Sequence, residues 1–113
     1  MEFSSSRIGK IVILHLSGNF IGEQDGGPMM MKVDEFMVEE NPRFVLDLTG
    51  LRHCNSTGLG AMITVLSKAR KAGGDVFLAN PSAYIGNLLL ITKLNTIFRV
   101  FNSVEEAAQA LEA

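Results

Sequence analysis

Strand-like and helix-like runs take turns along this chain, and that alternation permits few folds other than a sheet whose strands are joined through helices. Residues 1–18 predict a β-hairpin. Phe3 to Ile8 reads as an edge strand, and Gly9-Lys10 supplies a two-residue turn with glycine in its first central position. Ile11 to Leu16 is apolar at nearly every position, as a strand covered on both faces requires; His15 is the exception and reads as a tolerated or hydrogen-bonded histidine. Asn19 to Gly27 is polar and glycine-rich, which predicts a loop. A helix is then expected from Pro28, whose missing N–H costs nothing in a first turn. Met30, Val33, Phe36 and Met37 would form its buried face, and Asn41-Pro42 would end it.

Phe44 to Leu48 predicts the next strand, closed by Thr49-Gly50. The clearest helix follows. Leu59, Met62, Ile63 and Leu66 recur at helical spacing, Thr64, Ser67, Lys68 and Lys71 lie elsewhere on the circumference, and Gly73-Gly74 ends it. Val76 to Ala79 is a short buried strand, and Ser82 caps a helix reaching Leu94. That helix carries Ile85, Leu88, Leu89, Leu90, Ile91 and Leu94 around more than one side, so it is either deeply buried or meets another protein. Ile97 to Phe101 predicts a last strand. Ser103 and Glu106 have the spacing of a capping box ahead of Val104, Ala107, Ala108 and Leu111. The expected architecture is α/β, a mixed sheet packed with about four helices.

With 113 residues the chain fits one domain, 1–113, around a largely shared core. The formal net charge is −2 with both signs interspersed, which argues against direct nucleic-acid binding because phosphate neutralisation needs a concentrated basic surface. The one local basic cluster is Lys68, Arg70 and Lys71. No apolar run approaches the ~20 residues that span a bilayer. Cys54 is the only cysteine, so an internal disulfide is impossible and a reducing, cytoplasmic setting is expected.

The segment Cys54-Asn55-Ser56-Thr57-Gly58-Leu59-Gly60 is where chemistry would be sought. A hydrolase nucleophile elbow needs glycine two residues before the serine, where Cys54 stands. His15 and His53 are the candidate bases, and no acid with suitable context stands out to orient either. A dinucleotide fingerprint fails at Ile63, which occupies the third glycine position. His15, His53 and Cys54 lack recognisable metal-ligand spacing, so no metal, no cofactor and no catalytic residue is expected. Cys54 reads as a small buried residue. What remains is a hydroxyl at a helix N-terminus, where backbone N–H groups lack partners and the dipole favours negative charge. Asn55 or Ser56 could simply cap that helix.

The block Phe44-Val45-Leu46-Asp47-Leu48-Thr49-Gly50, a short loop, then Asn55-Ser56-Thr57-Gly58-Leu59-Gly60 resembles the signature of the STAS domain, shared by sulfate transporters and anti-sigma factor antagonists. The similarity continues through Gly73-Gly74-Asp75-Val76, Leu94, Ile97-Phe98 and Ser103-Val104-Glu105-Glu106-Ala107. With no transmembrane segment attached, the resemblance implies a free-standing antagonist. It implies a non-catalytic partner switch that binds an anti-sigma factor with serine kinase activity, is phosphorylated at Ser56 and is reset by a serine phosphatase. Asn55, Ser56, Thr57, Gly58 and Leu59 would form the partner contact. Asn55 departs from the aspartate usual before that serine, and it keeps the capping oxygen while removing a charge. The alternative is an unphosphorylated scaffold or adaptor in a larger stress-sensing or lipid-transport complex. A nucleotide-binding module is a third class, suggested by the helix N-terminus behind Ser56.

Overall fold

In the computed structural model, which describes residues 1–112, β1 (Glu2–Ile8) and β2 (Ile11–Phe20) form the expected antiparallel hairpin. Gly9 makes its turn with φ +60°, a conformation open to glycine without steric cost. β3 (Arg43–Cys54), β4 (Asp75–Ala79) and β5 (Val100–Phe101) follow in parallel, giving a five-stranded mixed sheet in the order β1-β2-β3-β4-β5. The helices α1 (Glu23–Phe36), α2 (Ser56–Lys71) and α3 (Ala83–Ile91) connect the parallel strands, and α4 (Val104–Glu112) ends the described chain.

Alternation along the strands builds two cores. Val12, Leu14 and Leu16 of β2, Phe44, Leu46 and Leu48 of β3, and Val76 and Leu78 of β4 meet α1, α2 and α3. Ile11, Ile13, Val45, Phe77 and Ala79 point the other way and receive Ala107, Ala108 and Leu111 of α4. The fold class therefore matches the expectation from sequence. Several boundaries do not.

β2 and β3 both run past their predicted ends. Ser17, Gly18 and Asn19 pair with Gly50, Leu51 and His53, so each strand supplies the backbone partners that keep the other extended. The irregular register there brings the strands close: a Cβ on Gly50 would stand 2.8 Å from the Ser17 Cβ. Thr49-Gly50 is thus a close-approach point inside a strand, and the loop predicted from Asn19 is shorter than its composition suggests.

Helix α1 begins at Glu23 rather than Pro28. The Asp25 carboxylate accepts the Gly22 N–H at 2.9 Å and the Ile21 N–H at 3.2 Å, which fixes the entry to the helix. Pro28 falls in the second turn, where its absent N–H leaves one carbonyl without the usual bond. Met29 and Val33 are buried while Met30, Phe36 and Met37 are half-buried, so the apolar stripe is rotated by one residue from the expected face. The helix stops at Phe36, before Asn41-Pro42.

In α2 the buried stripe is Leu59, Met62, Val65, Leu66 and Ala69; Ile63, expected inside, lies on the flank. Gly73, at φ +86°, and Gly74 terminate α2 through N–H bonds to Arg70 and Ala69 carbonyls. Ser82 caps α3 by accepting the Ile85 N–H at 3.2 Å. That helix ends at Ile91, not Leu94, and a 3-10 turn at Leu94–Thr96 carries the chain to a β5 shorter than predicted. Leu90 and Ile91 are exposed, so the apolar excess of α3 lies partly on the surface.

Gly74 lies against Pro42: a Cβ there would come within 1.6 Å of the Pro42 carbonyl oxygen. Gly74→Ala is expected to lose about 2–3 kcal/mol of stability, because the clash is with backbone. Gly27→Ala, where a Cβ meets nothing within 4 Å, should gain about 0.5–1 kcal/mol of helix propensity. Urea unfolding of the two variants checks both signs.

Candidate functional site

β3 ends at Cys54 and α2 starts at Ser56, so Asn55 is the joint between them. Its backbone is extended, and its side-chain oxygen accepts the N–H groups of Thr57 at 3.0 Å and Gly58 at 3.2 Å. Two of the unpaired donors of the helix are satisfied in this way. The Asn55 amide donates to the Ile21 carbonyl at 2.8 Å, and its backbone N–H donates to the Phe20 carbonyl at 3.3 Å. One residue therefore caps α2 and ties it to the segment between β2 and α1. Aspartate would keep the cap but could not donate to Ile21.

Because Asn55 is the cap, Ser56 is not. Ser56 is exposed at the first position of α2, and among the described residues its hydroxyl has no hydrogen-bond partner. Thr57 beside it is also exposed. Gly58 and Leu59 lie underneath: Gly58 is buried and Leu59 is 6% exposed. A Cβ on Gly58 would stand 2.4 Å from the Phe20 carbonyl oxygen and 2.6 Å from the Cys54 sulfur. Gly58 is therefore needed for the helix to sit on β2 and β3. These two residues lie buried beside the exposed Asn55, Ser56 and Thr57. Gly60 differs: it is exposed, a Cβ there meets nothing within 4 Å, and glycine inside a helix costs about 1 kcal/mol relative to alanine. Packing does not require it.

Cys54 is 4% exposed, and burial pushes its thiol up to about 11, so little of it is thiolate at neutral pH. His53 is exposed and meets the Tyr84 ring edge-on, with centroids 5.5 Å apart. His15, His53 and Cys54 are divided among different surroundings. Among the described residues no group of three or more His, Cys, Asp or Glu side chains could hold a metal ion.

The expectation that no acid orients a histidine is overturned at His15. Parallel pairing sets His15 beside Asp47, and His15 Nδ1 lies 2.7 Å from Asp47 Oδ2. On its other side His15 Nε2 lies 2.9 Å from Ser6 Oγ. Asp47 also accepts the backbone N–H and hydroxyl of Thr49, and the Asn80 amide donates to Thr49 Oγ1 at 3.1 Å. Asp47 and His15 are 32 residues apart in sequence, and only strand register brings them together. The network links β1, β2 and β3 on the sheet face that carries α4, opposite α2 and Ser56. Burial opposes ionisation of Asp47, but the hydrogen bonds from Thr49 and His15 outweigh it and hold the carboxyl below its ordinary value of 3.8.

The model of the STAS domain matches residues 3–107, and this chain belongs to that family. Within it, a Thermotoga neapolitana protein provisionally named an anti-sigma factor antagonist is 25% identical over 79 residues, covering 70% of each chain. The fold matches the crystal structure of a protein provisionally given the same role from Thermotoga maritima, with a TM-score of 0.85 at 22% identity over 98% of this chain and 95% of that one. It also matches the Bacillus cell fate determinant SpoIIAA in its phosphorylated form, with a TM-score of 0.73 at 16% identity over 96% and 98% of the two chains.

Asn55→Ala is expected to remove about 1–2 kcal/mol of stability, and Asn55→Asp less, since aspartate keeps the cap; urea titration ranks them. Asp47 stabilises the folded state above pH 3.8, and that contribution is lost as pH falls through its lower folded value. Asp47→Asn should cost about 1–2 kcal/mol at pH 7 and progressively less in more acid solution, read as a narrowing gap between the two stability curves.

Proposed function

We propose that residues 1–113 act as a non-catalytic, cytoplasmic partner-switching regulator, an anti-sigma factor antagonist whose Ser56 is phosphorylated by the anti-sigma factor it binds. A serine phosphatase resets it, and sigma-factor-dependent transcription follows the state of that one hydroxyl. The observation that carries this reading is the division of labour at the start of α2: Asn55 does the capping, which leaves Ser56 exposed and its hydroxyl without a partner among the described residues. The names of the relatives and structural neighbours support it.

The physics of such a switch follows from position. A phosphate adds about −1.5 to −2 charges at pH 7 and several acceptor oxygens. At the first position of a helix the dipole and the nearby N–H groups favour that charge, so the fold tolerates it. A docked partner has to desolvate or expel the same group. A loss of about 3 kcal/mol weakens binding more than a hundredfold. Affinity changes while the domain stays intact. Asn55, Ser56 and Thr57 form the face of the contact, with Gly58 and Leu59 holding it from beneath.

A second reading is favoured by the exposed Tyr84, Leu90 and Ile91 of α3, at 53%, 59% and 79%. These suit an adaptor held within a larger complex, without phosphorylation. The presence of a shifted band on a phosphate-affinity gel, lost in Ser56→Ala, decides for the switch.

Ser56→Ala is expected to fold, to bind the kinase-type anti-sigma factor of the same genome and to take no label from it; labelling equal to wild type would refute the assignment. Ser56→Asp should weaken that binding tenfold or more by calorimetry, while changing unfolding stability by less than about 0.5 kcal/mol.

A further inference from the structure

The outward side of α2 does not end at Ser56. Ser56, Gly60, Ile63, Ser67 and Lys71 follow one another at helical spacing, and all five are exposed. They form a stripe about 22 Å long at the rise of an α-helix. From its middle onward the stripe borders a shallow, open groove of about 420 Å³ between α2 and the segment that follows the 3-10 turn, lined by Ile63, Leu66, Ser67, Arg70, Lys71 and Ile97. Two of its aliphatic residues are open to solvent, Ile63 at 38% and Ile97 at 42%, while Leu66 is buried.

Charge at the groove is of one sign where it is uncommitted. Arg70 is fixed across one end, donating to Asp75 Oδ1 and to the Ile97 carbonyl, both at 3.2 Å. Lys68, just outside, reaches to Asp34 of α1 at 2.8 Å. Lys71 has no ion-pair partner among the described residues. A chain of net charge −2 thus presents, beside an aliphatic slot, one uncommitted cation, Lys71. Gly60, one turn along the stripe from Ser56 and not required by packing, leaves room for another backbone to approach α2 closely.

The geometry points to a second contact zone: the groove at Ile63, Ile97 and Lys71 seats an acidic amphipathic helix of the same partner that meets Ser56. Aliphatic side chains of that helix fill the slot, and a carboxylate on it faces Lys71. The inference rests on the partner-binding reading and deepens it. Lys71 stands about 22 Å along the helix from Ser56, beyond the Debye length of ~8 Å at physiological salt, so its charge contact is insensitive to the charge on Ser56. The partner would then be held by one switched and one unswitched contact.

Calorimetry of the full chain with the kinase-type anti-sigma factor of the same genome tests this. Lys71→Glu and Ile97→Asp are each expected to weaken binding about tenfold, and by the same factor in the Ser56 and Ser56→Asp backgrounds, as distant sites add independently. Raising salt should weaken the wild type more than Lys71→Glu. Circular dichroism verifies that both variants are folded; Lys71 is on the surface, so its variant carries the test if Ile97→Asp does not fold. Wild-type affinity in Lys71→Glu, with Ser56→Asp still weakened, overturns the groove and leaves the switch standing. A weakened Lys71→Glu with Ser56→Asp unaffected supports the groove and refutes the switch. No effect from either variant refutes both.

Discussion

Phe20 is the residue on which the placement of the site depends. Its carbonyl accepts the Asn55 N–H, and it is fully buried at the end of β2. Its ring lies where side chains on Gly26 of α1 and Gly58 of α2 would otherwise project: a Cβ on each would come within 3.3 Å and 3.0 Å of it. The first turns of two helices are thus set against one aromatic side chain, and glycine at each contact lets them come close enough. A packed interior transmits such constraints because it has little free volume to absorb a shift. The exposed hydroxyl of Ser56 is held in place from below, by the core.

The overall architecture was legible because it depends on periodicity. The hairpin turn at Gly9-Lys10 and the cap at Ser82 are local signals found where the residues suggested, as is the α2 stripe apart from Ile63. The family block coincides with the end of β3 and the start of α2. What could not be read was set by partners distant in sequence. Asn19, Gly50 and their neighbours carry loop-like residues yet stay extended, since β2 and β3 satisfy one another's backbone. Phe20, in a segment whose composition predicts a loop, is buried at the end of β2. Pro28 suggested a helix start that Asp25 provides earlier. The pairing of His15 with Asp47 depends on register across a crossover, which no local pattern reveals.

The sheet separates two kinds of polar chemistry. On the α4 side, Ser6, His15, Asp47 and Thr49 satisfy one another in a hydrogen-bonded chain that ties three strands. On the α1–α3 side the polar groups near Ser56 serve the backbone, and the hydroxyl itself is left uncommitted. Saturated polar groups hold a structure together, while an unsaturated one on the surface is available for recognition. The two arrangements use similar residue types and differ in whether the last donor is already engaged.

The burial of Cys54 has a consequence for the signals this domain can receive. The thiol precedes the serine by two residues, close enough that sulfur oxidation there would disturb the start of α2. Packed beneath Gly58 and kept protonated at physiological pH, it gives peroxide or disulfide reagents neither access nor a reactive anion. Oxidative input would first have to pry the end of β3 open, so in the folded domain this position is insulated from changes in cellular redox poise.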